Sequence, residues 1–248
     1  MARRRSDNAP MGITPPRLPQ VETTRLYRQI ASLLSTRIEQ GLFPVGTFLP
    51  AERELAQQLA VSRTSVREAL IALEVSGQVE IRQGHGVQVI SSSQLPSAPN
   101  TTADIGPIQI MEARSVVEPK SAELAAANHT AAGLERMRAA MALQAKATSA
   151  EAEQYREGDR RFHLEIARAS GNPAYEVLVA KLWEYRTKPL FERFEQLLVG
   201  PDRPAKTEAE HRAIYDAIAS GDAAASSKMM KRHIDAVLRA FIRGANGK

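Results

Sequence analysis

The stretch LPAERELAQQLAVSRTSVREALIALEVSGQVEIRQGHGVQV, residues 49–89, decides the fold of the first third of the chain. AERELAQQLAV and SRTSVREALIALEVSGQ read as two helices joined by a tight turn at Val61-Ser62, with Ser62 as N-cap of the second and Gly77 as its stop. VEIRQGHGVQVI then alternates, with Val79 and Ile81 before a QGHG turn and Val87 and Val89 after it, which predicts a β-hairpin. Upstream, LYRQIASLLSTRIEQ places apolar residues at 26, 30, 33, 34 and 38, a helix closed by Gly41. Helix, helix, turn, helix and a two-stranded wing is the order of a winged helix-turn-helix. Leu55, Leu59, Val61, Val66, Leu70 and Leu73 have the spacing of its core. That leaves Arg63, Thr64, Ser65 and Arg67 on the exposed first turns of the third helix, where a recognition helix meets base edges and phosphates. Taken alone, Arg63 and Arg67 equally suit a solvated face; the complete motif around them favours DNA.

Composition bounds the rest. The 248 residues suit two domains, and an apolar fraction of 43% is enough for real cores. A formal charge of +5 is a mild basic bias, so local clusters must carry any nucleic-acid argument. Absence of cysteine excludes disulfides, thiolate metal sites and a cysteine nucleophile. No apolar run reaches membrane-span length, and MARRRSDNAP lacks the apolar core of a secretory signal, so a cytoplasmic protein without a membrane partner is expected.

Residues 1–24 read as a disordered basic arm, either a plain tail or one that touches DNA. The DNA-binding domain spans 25–91, a Ser/Pro-rich linker 92–104, and a second domain 105–243. The second domain is expected to be an all-α antiparallel bundle, with helices near 105–128, 131–147, 149–170, 173–198, 205–220 and 222–243. TSAE at 148–151 fits a capping box, SGNP at 170–173 a helix stop and restart, and GPDRP at 200–204 a loop. Pro189 is expected to kink or divide its helix.

The helical period of EGDRRFHLEIARASGNPAY, residues 157–175, puts Asp159 and His163 one turn apart beside the apolar stripe of Phe162, Ile166 and Ala169. Two more of the five histidines, His211 and His233, lie on the apolar faces of two other helices. One such histidine is ordinarily a satisfied core residue. Three on separate helices, with an aspartate, point to a convergent metal site, because bundle cores build such sites from inward-facing side chains. Three imidazoles and a carboxylate suit zinc, and alternatively nickel, manganese, cobalt or iron.

The 49–89 stretch, with its LPxERELA…VSRxxVREAL pattern, resembles the DNA-binding domain of the GntR family of bacterial transcription regulators, over about residues 25–90. The resemblance implies DNA contacts from Arg53, Ser62, Arg63, Thr64, Ser65 and Arg67, and from Gln83, Gly84 and His85 at the wing tip. Residues 106–243 resemble the all-helical FCD effector domain of the FadR subfamily, on the motifs EARSVVEPKSAELAA, DRRFHLEIARASGNP, EHRAIYDAIASGD and MMKRHI. This implies a divalent metal on Asp159, His163, His211 and His233, helping to hold a small carboxylate effector. Arg114, on a stripe with Met111 and Glu118, is the implied partner of the acid; the alternative is a surface salt bridge with Glu118. Asn172 and Arg186 are further effector candidates, although Asn172 also suits a turn and Arg186 a solvated face.

The implied function is a homodimeric regulator, by default a repressor, that binds a palindromic double-stranded operator and has no catalytic residues. RLYRQIA…IEQGLFPVGTFLPAERELA and LWEYRTKPLFERF resemble the branch that responds to hexuronates and related sugar acids. A hexuronate, an aldarate, or a 2-hydroxy or dicarboxylic acid are the candidate effectors. Two rivals stand beside this reading. One is a metal-free, acyl-CoA-responsive regulator of the same fold. The other is a metalloenzyme fused to a DNA-binding domain, with Glu210 beside His211 as its only candidate base.

Overall fold

A computed structural model describes residues 26–82, 84–93, 105–147, 153–198 and 202–246. The expected arm at 1–24, nearly all of the linker, the TSAE capping box and Gln83 lie outside them.

Three helices, α1 (Leu26–Glu39), α2 (Glu52–Gln58) and α3 (Arg63–Val75), close around one apolar core. Ile30, Leu34 and Ile38 of α1 meet Leu55, Val66, Leu70 and Leu73 there, with Leu59 and Val61 half-buried at its edge. Ser62 caps α3 by accepting the Ser65 N–H at 3.1 Å. The turn before it differs from expectation. α2 stops at Gln58, and the reversing residue is Ala60, at φ +52. A side chain in the left-handed region costs roughly 1–2 kcal/mol. The apolar residues on either side of Ala60, Leu59 and Val61, both pack on the core and fix the corner.

The wing pairs β1 (Val79–Arg82) antiparallel to β2 (Gly86–Val89), with Val79 opposite Val89 and Ile81 opposite Val87. The chain ahead of α2 adds a short third edge. Gly46 and Leu49 donate to the carbonyls of Val89 and Val87, each at 2.8 Å. Gly84 and Gly86 take φ values of +76 and +109, which the tight wing tip requires and a side chain resists.

Seven helices form the second half among the described residues: α4 (Pro107–Asn128), α5 (Ala131–Ala145), α6 (Glu153–Ala169), α7 (Pro173–Glu184), α8 (Pro189–Leu198), α9 (Arg203–Ala219) and α10 (Ala223–Asn246). α4 runs through the middle, against α6, α7, α9 and α10. The stretch expected as one helix over 173–198 is divided. Pro189 lacks an N–H and disfavours helical geometry in Lys188, so α8 starts afresh. α9 begins at Arg203, inside the expected loop, with Pro204 in its first turn, where a missing N–H is harmless. Met111, Phe162, Ile166, Ile214, Ile218, Ile234 and Phe241 fill the core. None of the described helices is long and apolar enough to cross a membrane.

Candidate metal centre

Asp159 and His163 project from α6, His211 from α9 and His233 from α10, and all four are buried. One potential ligand atom from each lies within 4.8 Å of the others. Asp159 Oδ1 is 3.3 Å from His211 Nε2 and 3.7 Å from His163 Nε2. Asp159 Oδ1, His163 Nε2 and His211 Nε2 are sealed from water and, among the described residues, have no hydrogen-bond partner. Buried polar atoms are rarely left so, and three converging on one point fit a cation. The N₃O donor set suits a divalent transition metal.

The other side of each ligand is engaged. His163 Nδ1 meets the Glu118 carboxylate, His211 Nδ1 lies 2.9 Å from Gln144 Oε1, and His233 Nδ1 lies 2.8 Å from Glu210 Oε2 and 3.2 Å from Arg203 Nη2. Tying each Nδ1 leaves each Nε2 lone pair for an ion, the orientation metal-binding imidazoles need. Asp159 Oδ2 accepts from Arg186 at 2.8 Å, which turns Oδ1 inward. Gly158 makes one of these contacts possible. A Cβ there would stand 2.5 Å from the Gln144 backbone nitrogen, so only glycine lets α5 approach α6 closely enough for Gln144 to reach His211.

Burial alone would raise the Asp159 carboxyl, but Arg186 and the neighbouring histidines hold it well below the usual carboxylate range. Burial drives His211 and His233 well below the usual imidazole value, and the other histidines add to this, so both are neutral near pH 7. His163 goes the other way: burial would lower it, but Glu118 and Asp159 raise it. Burial pushes the Tyr155 phenol, which hydrogen-bonds Thr207, up to about 12, and the Asp159 charge adds to the effect.

Next to the quartet the lining offers donors. Arg114 is 2% exposed, its Nε paired with Glu118 and its Nη2 without a hydrogen-bond partner among the described residues. The Arg114–Glu118 pair is thus a buried one, where the alternative reading placed it on the surface. Arg114 and Arg186 lie 4.4 and 4.2 Å from the ring centre of Trp183, whose Nε1 also lacks a partner, as does Gln144 Nε2. The structure therefore brings Arg114 and Arg186 to the centre. Asn172 it leaves exposed, capping α7 through the Ala174 N–H at 3.0 Å. Gln144, Trp183 and Glu195 escaped the sequence reading. The available signals were that Trp183 is the chain's single tryptophan and that Gly158 directly precedes Asp159.

On the DNA-binding half, Arg53 and Ser62 are exposed, Arg63, Thr64 and Ser65 half-buried, and Gly84 and His85 exposed at the wing tip. Arg67 does not stand free as expected. Its Nε donates to Glu52 Oε1 at 2.8 Å in a two-bond pair, with 16% of the side chain exposed. The first residue of α2 therefore orients this guanidinium.

A winged helix-turn-helix joined to a helical domain with a buried ligand-type cluster is the layout of a DNA-binding transcription regulator. Residues 26–89 match the bacterial regulatory proteins of the gntR family, and residues 109–236 match the FCD domain. The Exu regulon transcriptional regulator of Escherichia coli K12 is 36% identical over 223 residues, 86% of this chain and 83% of that protein. The Uxu operon transcriptional regulator of the same organism is 33% identical over 228 residues, 90% and 89% of the two chains. A putative L-lactate dehydrogenase operon regulatory protein from that organism is 30% identical, over 86% and 85%. The chain belongs to the GntR family of transcription regulators, in its FCD-domain branch.

Proposed function

We propose that the chain is an acid-responsive repressor whose Asp159, His163, His211 and His233 hold a divalent metal, with zinc the first candidate. The metal and the Arg114 guanidinium together take the carboxylate of a sugar acid. The carrying observation is the set of inward-facing atoms of Asp159, His163 and His211 left without partners while the opposite nitrogens are engaged. The free donors of Arg114, Trp183 and Gln144 suit an acceptor-rich ligand, a carboxylate with hydroxyls. The names of the Exu and Uxu relatives favour a hexuronate over the other acids. The quartet speaks against the metal-free acyl-CoA alternative.

A homodimer on a palindromic operator follows from the need to read two half-sites, with Arg53, Ser62, Arg63, Thr64, Ser65, Arg67, Gln83, Gly84 and His85 as the DNA-contacting set. Asn172 is left out of the acid site, and Arg186 enters it as the partner of Asp159. His211→Ala is the test, because it removes one ligand and leaves the recognition helix alone. The variant is expected to lose bound metal, measured by elemental analysis, and to lose the effect of hexuronate on operator binding. Full metal occupancy in the variant contradicts the ligand set.

A further inference from the structure

The recognition helix is shared between the two halves of the protein. Glu68, Ile71 and Glu74, three residues apart along α3, are all turned towards the effector domain. Ile71 is fully buried and belongs to the effector-domain core rather than to that of the winged helix. Glu68 is 8% exposed and accepts the Ile108 N–H at 3.3 Å. α4 starts at Gly106-Pro107 with no side-chain cap of its own, so the recognition helix supplies the acceptor its free N–H groups need. Gly106 permits the approach, since a Cβ there would stand 2.9 Å from Glu68 Oε1. At the far end of α3, Glu74 takes two bonds from Arg193 of α8, at 2.7 and 2.9 Å. Glu74 Oε1 also accepts the Ile81 N–H of the wing at 2.9 Å. One carboxylate thus ties together recognition helix, wing and effector domain.

Two helices that hold α3 through these bonds, α4 and α8, also connect to the metal centre, and α10, which packs on α3 as well, carries His233. α4 carries Arg114 and Glu118, the latter on His163. α8 carries Glu195, paired with Arg186, which in turn holds Asp159. Leu190 of α8 packs against both cores. Each helix therefore has one group beside the ligands and another on the recognition helix. A packed helix moves as a body, so a shift at one contact is felt at the other.

We propose that Glu68, Glu74 and Arg193 are positioning residues for the recognition helix: through them α4 and α8 set its orientation, and occupancy of the centre is reported to DNA along these two helices. This rests on the acid-responsive reading above. The test uses full-length, zinc-loaded protein, glucuronate as probe, and a duplex selected from a random pool by the wild type. Calorimetry reads glucuronate binding, and operator affinity is measured with and without glucuronate. Arg193→Gln and Glu68→Ala are expected to bind glucuronate within about twofold of wild type. The effector-induced change in operator affinity, about tenfold for a typical coupled pair, should fall below about threefold in both. Arg193→Lys, which keeps the charge but loses the two-bond fork, should restore only part of it.

Full response in both variants overturns the proposal and leaves the acid-responsive reading intact. If glucuronate leaves wild-type operator affinity unchanged, it is that reading which fails with this probe. The clasp is then judged on operator affinity without effector. A change of about threefold or more in Arg193→Gln, smaller in Arg193→Lys, supports it, given that such contacts typically couple by a few-fold or more. Wild-type affinity in Arg193→Gln overturns it.

Discussion

Glu118 and Glu68 are carboxylates almost closed off from water, at 1% and 8% exposure, and the protein treats them in opposite ways. Burial alone would raise Glu118, but Arg114 and His163 hold it well below the usual carboxylate range. Burial pushes Glu68 up to about 7; the Ile108 N–H pulls it down only partly, and the like charge of Glu112 raises it further. The difference lies in the partners. At the metal centre the charge is matched by a guanidinium, so Glu118 is a fixed strut that keeps His163 pointing at the ligand position. At the joint between the domains the carboxylate faces a backbone N–H and, among the described residues, no cation in its first contacts, so its charge responds to conditions. The buried centre is built to be rigid and the joint to be adjustable.

The comparison breaks most visibly on losing the Glu118 cation. Arg114→Met removes one of the two partners of a buried carboxylate and leaves it His163 alone, and stability should fall by about 3–5 kcal/mol in denaturant unfolding of metal-free protein. A loss under about 1 kcal/mol, the size expected for exposed pairs, would mean that Glu118 is not dependent on Arg114.

A smaller effect should come from pH at the joint. Glu68 has a folded-state value of about 7 against an ordinary 4.5, so folding favours its protonated form. Its stabilising contribution is complete below the ordinary value and is lost as pH rises through about 7. Glu68→Gln stays neutral throughout. It should flatten the decline in stability between these pH values and exceed wild type at pH 8 by up to about 3 kcal/mol. Parallel stability curves for the two proteins would contradict the account of Glu68.

Much of the architecture was legible because it is local. Ser62 as N-cap, Gly41 and Gly171 at left-handed helix ends, and Pro189 as a breaker each act within a few residues of themselves. The buried Asp/His cluster was legible for a different reason: a histidine on an apolar helical stripe is conspicuous, and three of them conspire. What stayed hidden depends on contacts distant in sequence. Gln144 reaches His211 across 67 positions, and Arg193 reaches Glu74 across 119. Nothing in the helical period of α5 or α8 separates these side chains from ordinary solvated ones. Arg67 looked free for the same reason, since Glu52 lies 15 positions away on another helix. Ala60 was missed because a left-handed alanine has no local signature and is imposed by the packing of its neighbours.

The most direct test of the central claim is thermal unfolding of the protein with zinc and after chelation, against uronates, aldarates, 2-hydroxy acids and dicarboxylates. A ligand specific for the folded form stabilises it by about 2.7 kcal/mol at a hundred times its Kd. A rise in Tm with a uronate that disappears on removing the metal is the expected result. A uronate shift that survives chelation, or no shift with any acid in the metal-loaded protein, would contradict a metal-assisted acid site at Asp159, His163, His211 and His233.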